Sequence, residues 1–290
     1  MSNIFSMVTL RRSNNYTVRA LESFFTNTII EDGDEFLLID NDGCDIDKFS
    51  SYEKIKIIKN RLPLSFAKNV NQAIEEAKRK KKDLIFINND VVFTKKWLEP
   101  IKLNSESISI PVNNQIFPYK SDCGNLKLDV TMSLNDFADK NLLLEEIAKR
   151  HHAKYSNFQK FQGLLMPFFC FKVPYKILND VGLFDVSFVE GAEDVDYRIR
   201  CAIKGYDVNF IINSYLLHFH GKSTWDGGET QDQTNKRNQL YIENFLKKWG
   251  EEITQVFIIR NNFLDILEKK GLTEIYKKGQ FGELIRRLVN

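Results

Sequence analysis

Three clusters in this 290-residue chain have the residue types and spacing to do chemistry. The first is Asn88-Asn89-Asp90, directly after the apolar run Leu84 to Ile87. A carboxylate and a carboxamide there can hold a divalent cation and a ribose. Magnesium and manganese favour such oxygen ligands and often keep phosphate oxygens as co-ligands. The same residues also make ordinary turns at strand ends. The second cluster runs from Gly191 to Arg200. Glu193, Asp194 and Asp196 open a helical pattern, and Arg198 and Arg200 follow one turn on. Dipole complementation and surface pairs, Asp194 with Arg198 and Asp196 with Arg200, account for that pattern. The third is His218-Phe219-His220-Gly221-Lys222-Ser223-Thr224. In a strand, 218 and 220 face one side, and either imidazole can ligate a metal or serve as a hydrogen-bonded edge or core histidine. His151 and His152 fall in a helical pattern and read as solvated polar positions.

These residues need a frame. Phe5 to Leu10, Glu35 to Ile39, Ile55 to Ile58 and Leu84 to Ile87 are strand-like. Tyr16 to Thr26 and Phe66 to Ala77 carry apolar residues at helical spacing. Strands alternating with helices predict a mostly parallel, twisted central sheet flanked by helices. Right-handed crossovers put the strands' carboxyl ends on one edge, where open α/β sheets bind ligands. Asp40-Asn41-Asp42 and Asn88-Asn89-Asp90 both fall there. Neither GxGxxG nor GxxxxGK[ST] occurs. Further on, Ile108 to Val112 reads as a strand, Asn141 to His152 as a helix and Phe161 to Phe171 as a buried strand. Asp180 to Phe188 reads as a turn-rich link and Glu193 to Ile203 as a helix. Val208 to Ile212 and Tyr215 to His220 read as two strands, and long helical patterns begin at Gln231.

The length suits one large domain, or one domain with a small appendage. No run of about 18 apolar residues predicts a membrane-spanning helix, and the N-terminus lacks a secretory pattern. Four cysteines without a CxxC pair read as reduced cytosolic thiols. A net charge of +2 gives no support to nucleic-acid binding. The basic run Lys78 to Lys82 reads as a helix C-terminus.

Taken in order, the motifs resemble the family 2 glycosyltransferases of GT-A fold, especially the bacterial rhamnosyltransferase-like branch. The series begins with Val8-Thr9-Leu10, Ile39-Asp40-Asn41 and Ser65 to Ala73. It continues through Ile87-Asn88-Asn89-Asp90 with Trp97-Leu98-Glu99, then Val181-Gly182-Leu183-Phe184-Asp185. Glu193-Asp194-Val195-Asp196 with Arg200, Gly205-Tyr206, the His218 cluster and Phe245 to Gly250 complete it. The resemblance implies a catalytic domain over 1–250, with a nucleotide-binding half over about 1–100 and an acceptor half over about 101–250. A helical C-terminal extension over 251–290 follows.

The resemblance also implies roles. Thr9, Asp40, Asn41, Asn71, Asn88 and Asn89 would contact the nucleotide of a UDP- or dTDP-linked sugar donor. Asp90 would bind a divalent cation, Mn or Mg, with His218 as second ligand and His220 as the alternative. Asn88 stands where many members have Asp, which leaves Asp90 as the main anionic ligand. Asp194 would act as general base of an inverting transfer, Glu193 would orient the acceptor, and Trp225 would join it there. Asp185 and Arg200 would brace the site. The acceptor is expected to be a glycan or lipid-linked glycan of bacterial surface polysaccharide or lipopolysaccharide, with the protein cytoplasmic. A non-catalytic sugar-nucleotide-binding scaffold and a nucleotidyltransferase are the competing readings. The C-terminal pattern of apolar and basic residues fits helices packed on the catalytic domain. It fits equally a peripheral contact with an anionic membrane face, or self-association.

Overall fold

The computed structural model describes residues 2–43, 49, 52, 54–114, 134–157, 159–189, 191–219, 221–222 and 230–290, without the side chains of 135–141. The first half comprises β1 (Asn3–Thr9), α1 (Asn14–Asn27), β2 (Glu35–Asp40), β3 (Ile55–Lys59), α2 (Phe66–Lys80) and β4 (Asp83–Ile87). Their sequence shows why. In α2, Ala67, Val70, Ala73, Ile74 and Ala77 form one buried stripe, and the Ser65 hydroxyl caps the first turn by accepting from Lys68 N–H. Lys81 stops the helix in a left-handed conformation, with Lys78, Arg79 and Lys80 complementing its carboxyl end.

The second half comprises β5 (Val91–Phe93), α3 (Leu98–Leu103), β6 (Ile108–Asn113), α4 (Leu134–Lys154), β7 (Lys160–Gln162), β8 (Cys170–Val173), α5 (Tyr175–Val181), α6 (Glu193–Ile203) and β9 (Val208–His218). One sheet runs β3-β2-β1-β4-β8-β6-β9-β5, with β7 also on β9. The pairings β3–β2–β1–β4 are all parallel, as expected. From β8 onward the sheet is mixed, because β8, β5 and β7 each pair antiparallel. Only Asn88-Asn89-Asp90 separates β4 from β5, too short for a parallel crossover. The chain therefore leaves β4 and pairs β5 with the distant β9.

Two strand expectations need correction. Phe161 to Phe171 is not one strand but β7, a loop and β8. Pro167 has no N–H for a ladder. Gly163 lies so close to Leu165 O and the Phe210 ring that a Cβ would stand 2.7 and 2.8 Å from them. Val208 to His218 is conversely one strand. The consecutive β6 residues Pro111 and Val112 pair with Ile211 and Tyr215, so Ile212, Asn213 and Ser214 sit in a bulge, held by Ser214 Oγ donating to Trp97 O at 2.6 Å.

Beyond β9 lie α7 (Gln231–Thr254), a five-residue π turn, α8 (Phe263–Lys269), α9 (Thr273–Lys277) and α10 (Phe281–Val289). The main core gathers Phe24, Phe5, Phe36, Phe93 and Trp97 beneath the sheet. A second core packs Val195, Ile199 and Ala202 of α6 against Phe257, Leu267, Leu284 and Ile285. None of the described helices is long and apolar enough to cross a membrane.

Candidate active site

The sheet itself brings together Asp90 and His218, the pair expected to ligate a metal. β5 runs antiparallel to β9 with Val91 opposite His218, so Asp90, one residue earlier, meets the end of β9. Asp90 O accepts from Phe219 N at 2.9 Å, and Asp90 Oδ2 accepts from Lys222 N at 3.2 Å. Asp90 Oδ1 lies 3.3 Å from His218 Nε2. Both side chains are buried, and the Phe169 ring stacks on the imidazole at 5.1 Å. Asn114 Oδ1 accepts from His218 N at 2.8 Å, fixing the strand end. Burial alone would raise the Asp90 pKa, but His218 and the Lys222 amide hold it below the usual carboxylate range. An oxygen and a nitrogen about 3 Å apart match adjacent positions on an octahedral ion with bonds of about 2.1 Å. This donor pair fits Mn or Mg completed by phosphate oxygens. Asp90 and His218 would hold the ion, although no group of three ligands occurs among the described residues.

The expected nucleotide residues divide into two kinds. Asn88 is half-buried at the end of β4, its N–H bound to Phe169 O at 2.8 Å. Asp40 is buried at the end of β2, where Oδ1 accepts from Gly43 N at 3.0 Å. The others make hydrogen bonds within the scaffold. Asn89 turns inward, donating to Ser13 Oγ at 2.7 Å and Thr17 Oγ1 at 2.9 Å, and Thr17 also meets Thr9 Oγ1 at 2.8 Å. Asn41 brackets Leu64 through both its N–H and its C=O. Asn71 does the same to Phe184, at 2.9 and 2.7 Å, tying α2 to the loop ahead of α6.

On the expected acceptor side, α6 opens at Ala192, which takes a left-handed φ of 69° at the helix start. Glu193 is buried; Asp194 is half-buried, with Oδ1 accepting from Val195 N at 2.8 Å. Burial pushes the Asp194 pKa up to about 6 against the opposing pull of that amide and of Arg260. Asp196 is fully buried and accepts from Arg200 Nε at 2.8 Å and Trp249 Nε1 at 3.0 Å, with Lys248 Nζ at 2.6 Å. Arg200 also donates to Val181 O and Leu183 O, and Lys248 reaches Asp185. Both expected braces therefore lie in one network.

The expected surface pair Asp194–Arg198 does not form. Arg198 turns into the protein and donates Nε to Gly163 O at 3.1 Å. Its other two nitrogens find no hydrogen bond among the described residues. Burial lowers its pKa to about 10. His151 is not solvated either; its Nε2 contacts Ile212 O at 2.5 Å in the core, and burial lowers its pKa to about 4. His220 and Trp225 lie outside the described residues. Phe169 and Asn114 were not legible as neighbours of His218, since they lie far from it in sequence and belong to no motif.

No family model matches the chain, and no curated protein matches it significantly in sequence. Solved structures match it in shape. GalNAc-T7 with UDP, GalNAc and Mn2+ aligns at TM-score 0.64 and 14% identity, over 96% of this chain and 54% of that one. S. aureus TarS 1-349 aligns at 0.54 and 11%, over 99% and 88%. The mannosyltransferase PcManGT from Pyrobaculum calidifontis, in complex with GDP-Man and Mn2+, aligns at 0.51 and 11%, over 99% and 84%. The chain thus spans about half the length of the GalNAc-T7 chain and most of the other two. These neighbours are GT-A glycosyltransferases, and the fold of this chain is the GT-A fold.

Proposed function

We propose that this protein is an inverting glycosyltransferase that moves a sugar from a nucleotide-diphospho-sugar to an acceptor hydroxyl. The observation that carries this reading is the pairing of Asp90 Oδ1 with His218 Nε2 at 3.3 Å, at the carboxyl end of a GT-A sheet. It supports a divalent cation, Mn or Mg, which would neutralise the diphosphate as it leaves. Asn88 and Asp40, at the ends of β4 and β2 on either side of β1, suit the ribose and the base. Thr9, Asn41, Asn71 and Asn89 would act by fixing the pocket walls.

Asp194 suits the general base. The acceptor oxygen attacks the anomeric carbon, the bond from that carbon to the phosphate oxygen breaks, and the hydroxyl proton passes to Asp194. A base titrating near 6 is ionised at neutral pH yet takes a proton more readily than an ordinary aspartate. Glu193 and Trp225 would orient the acceptor. By resemblance, that acceptor is a glycan or lipid-linked glycan of bacterial surface polysaccharide, and the donor carries UDP or dTDP. The test is the product formed from nucleotide sugars with manganese. A glycosyltransferase releases a nucleoside diphosphate, a nucleotidyltransferase pyrophosphate, and a binding scaffold neither.

A further inference from the structure

Phe169 touches both halves of the proposed donor site. It directly precedes β8, whose first residue Cys170 pairs with Ile87 at the end of β4. The ladder runs one step further, because Phe169 O accepts from Asn88 N at 2.8 Å. The main chain of Phe169 thus holds the residue proposed to meet the ribose. Its ring holds something else. It stacks on the His218 imidazole, with centroids 5.1 Å apart and planes 21° apart. Asp90 lies two residues after Asn88 and 3.3 Å from His218. The contacts therefore close on themselves: Asn88 to Asp90 along the chain, Asp90 to His218, His218 to Phe169, and Phe169 back to Asn88.

The stack decides the angle of the imidazole. The His218 main chain is already held by Asn114 Oδ1 and by the pairing with Val91. Neither contact fixes the rotation of the ring, a torsion with broad wells. A metal bond needs that rotation fixed, and the groups around a ligand commonly supply the constraint. Phe169 is 1% exposed and packed in the main core, so its own ring has little room to move. A constrained ring on one side and a main-chain hydrogen bond on the other make Phe169 a stiff link between metal ligand and nucleotide residue. An ion that sets His218 then also sets Asn88, and a nucleotide seated on Asn88 favours the ligating angle of His218 by the same factor.

We propose that Phe169 is a positioning residue that couples divalent-cation binding at Asp90 and His218 to nucleotide binding at Asn88. The proposal rests on the reading of these residues as the donor site of a metal-assisted glycosyltransferase.

The full chain is titrated calorimetrically with UDP, dTDP and GDP, with and without manganese. Manganese affinity is followed through the EPR signal of the free ion, with and without the nucleotide that binds. Linkage requires both experiments to give one coupling factor in the wild type. Phe169→Leu keeps an apolar side chain but loses the stacked ring. It should lower that factor by about two- to ten-fold, with nucleotide affinity in the absence of metal near wild type. Phe169→Tyr keeps the ring and should keep the factor. Phe168→Leu removes a neighbouring ring that packs on Phe66, Phe171 and Phe184, so it should lower Tm and leave the factor unchanged. In the metal-free wild type the His218 ring protons, assigned by their loss in His218→Ala, should resonate upfield, and they should move downfield in Phe169→Leu. A wild-type coupling factor in folded Phe169→Leu, an equal loss in Phe168→Leu, or unshifted His218 ring protons in the wild type would overturn the proposal. A wild type that binds no nucleotide, or binds it equally with and without manganese, would strike at the metal-assisted glycosyltransferase reading and remove the proposal with it, so the two failures are distinguishable.

Discussion

Trp249 Nε1 donates to Asp196 Oδ1 at 3.0 Å, and through that bond a late turn of α7 holds the first turn of α6. Arg200 and Lys248 complete the hold, so a single buried carboxylate joins the helix bearing Glu193 and Asp194 to the segment that leads into the C-terminal helices. Asp196→Ala removes the carboxylate shared by three donors and leaves Trp249 Nε1 without its acceptor. It should cost about 2 kcal/mol or more of stability. Thermal unfolding of the full chain would show this as a lowered Tm, whereas an unchanged Tm would mean that Asp196 does not lock α6.

Asp194→Asn should reduce kcat by about two orders of magnitude or more while donor affinity stays near wild type. Near wild-type turnover would remove Asp194 from the chemistry.

The Asp194 environment also fixes a pH dependence. Burial raises its folded pKa to about 6, above the ordinary aspartate value, against the pull of Arg260 and the Val195 amide. The base works only when ionised, so kcat/KM should fall as pH drops below about 6, and Asp194→Asn should lack that limb. Stability runs the opposite way. The folded state binds this proton more tightly than the unfolded state, so the contribution is gained as pH falls through about 6 and is lost above it. Asp194→Asn should therefore raise Tm more at neutral pH than near pH 5. The same Tm difference at both values would contradict a desolvated carboxylate.

How much of this was legible beforehand depends on whether a residue's neighbours in space were also neighbours in sequence. Helix α6 has the expected limits because the acids, the apolar spacing and the following Gly205 all lie within one window. The parallel strands β1 to β4 were legible for the same reason. Arg198 was not. The i,i+4 rule puts it on a surface, but its face of α6 is covered by the loop at Gly163 and by C-terminal residues such as Leu284. His151 was missed likewise, since the bulged stretch of β9 that covers it comes much later in the chain. Asn41, Asn71 and Asn89 have the residue types of a nucleotide pocket, yet their amides are committed to Leu64, Phe184 and the start of α1. A carboxamide's type does not reveal which way it points.

The C-terminal helices should be needed for the fold of the acceptor side. Leu284 is fully buried in the core shared with α6. Leu284→Ala should cost about 2–5 kcal/mol, and removing 263–290 should cost more. Tm and soluble yield measure both. A truncated chain as stable as the full one would instead make these helices a separate appendage, free for a membrane or a second copy.

Asp90 and His218 form the point on which the account turns, and nucleotide-sugar turnover with and without manganese tests it most directly. Wild-type protein, Asp90→Ala and His218→Ala are incubated with a panel of nucleotide sugars, and nucleoside diphosphate release and nucleotide affinity are followed. The account predicts diphosphate release from at least one donor, stimulated by metal. It also predicts affinity that no longer responds to metal in Asp90→Ala, with a milder defect in His218→Ala. Pyrophosphate release, or equal nucleotide affinity for Asp90→Ala and wild type with and without manganese, would contradict it.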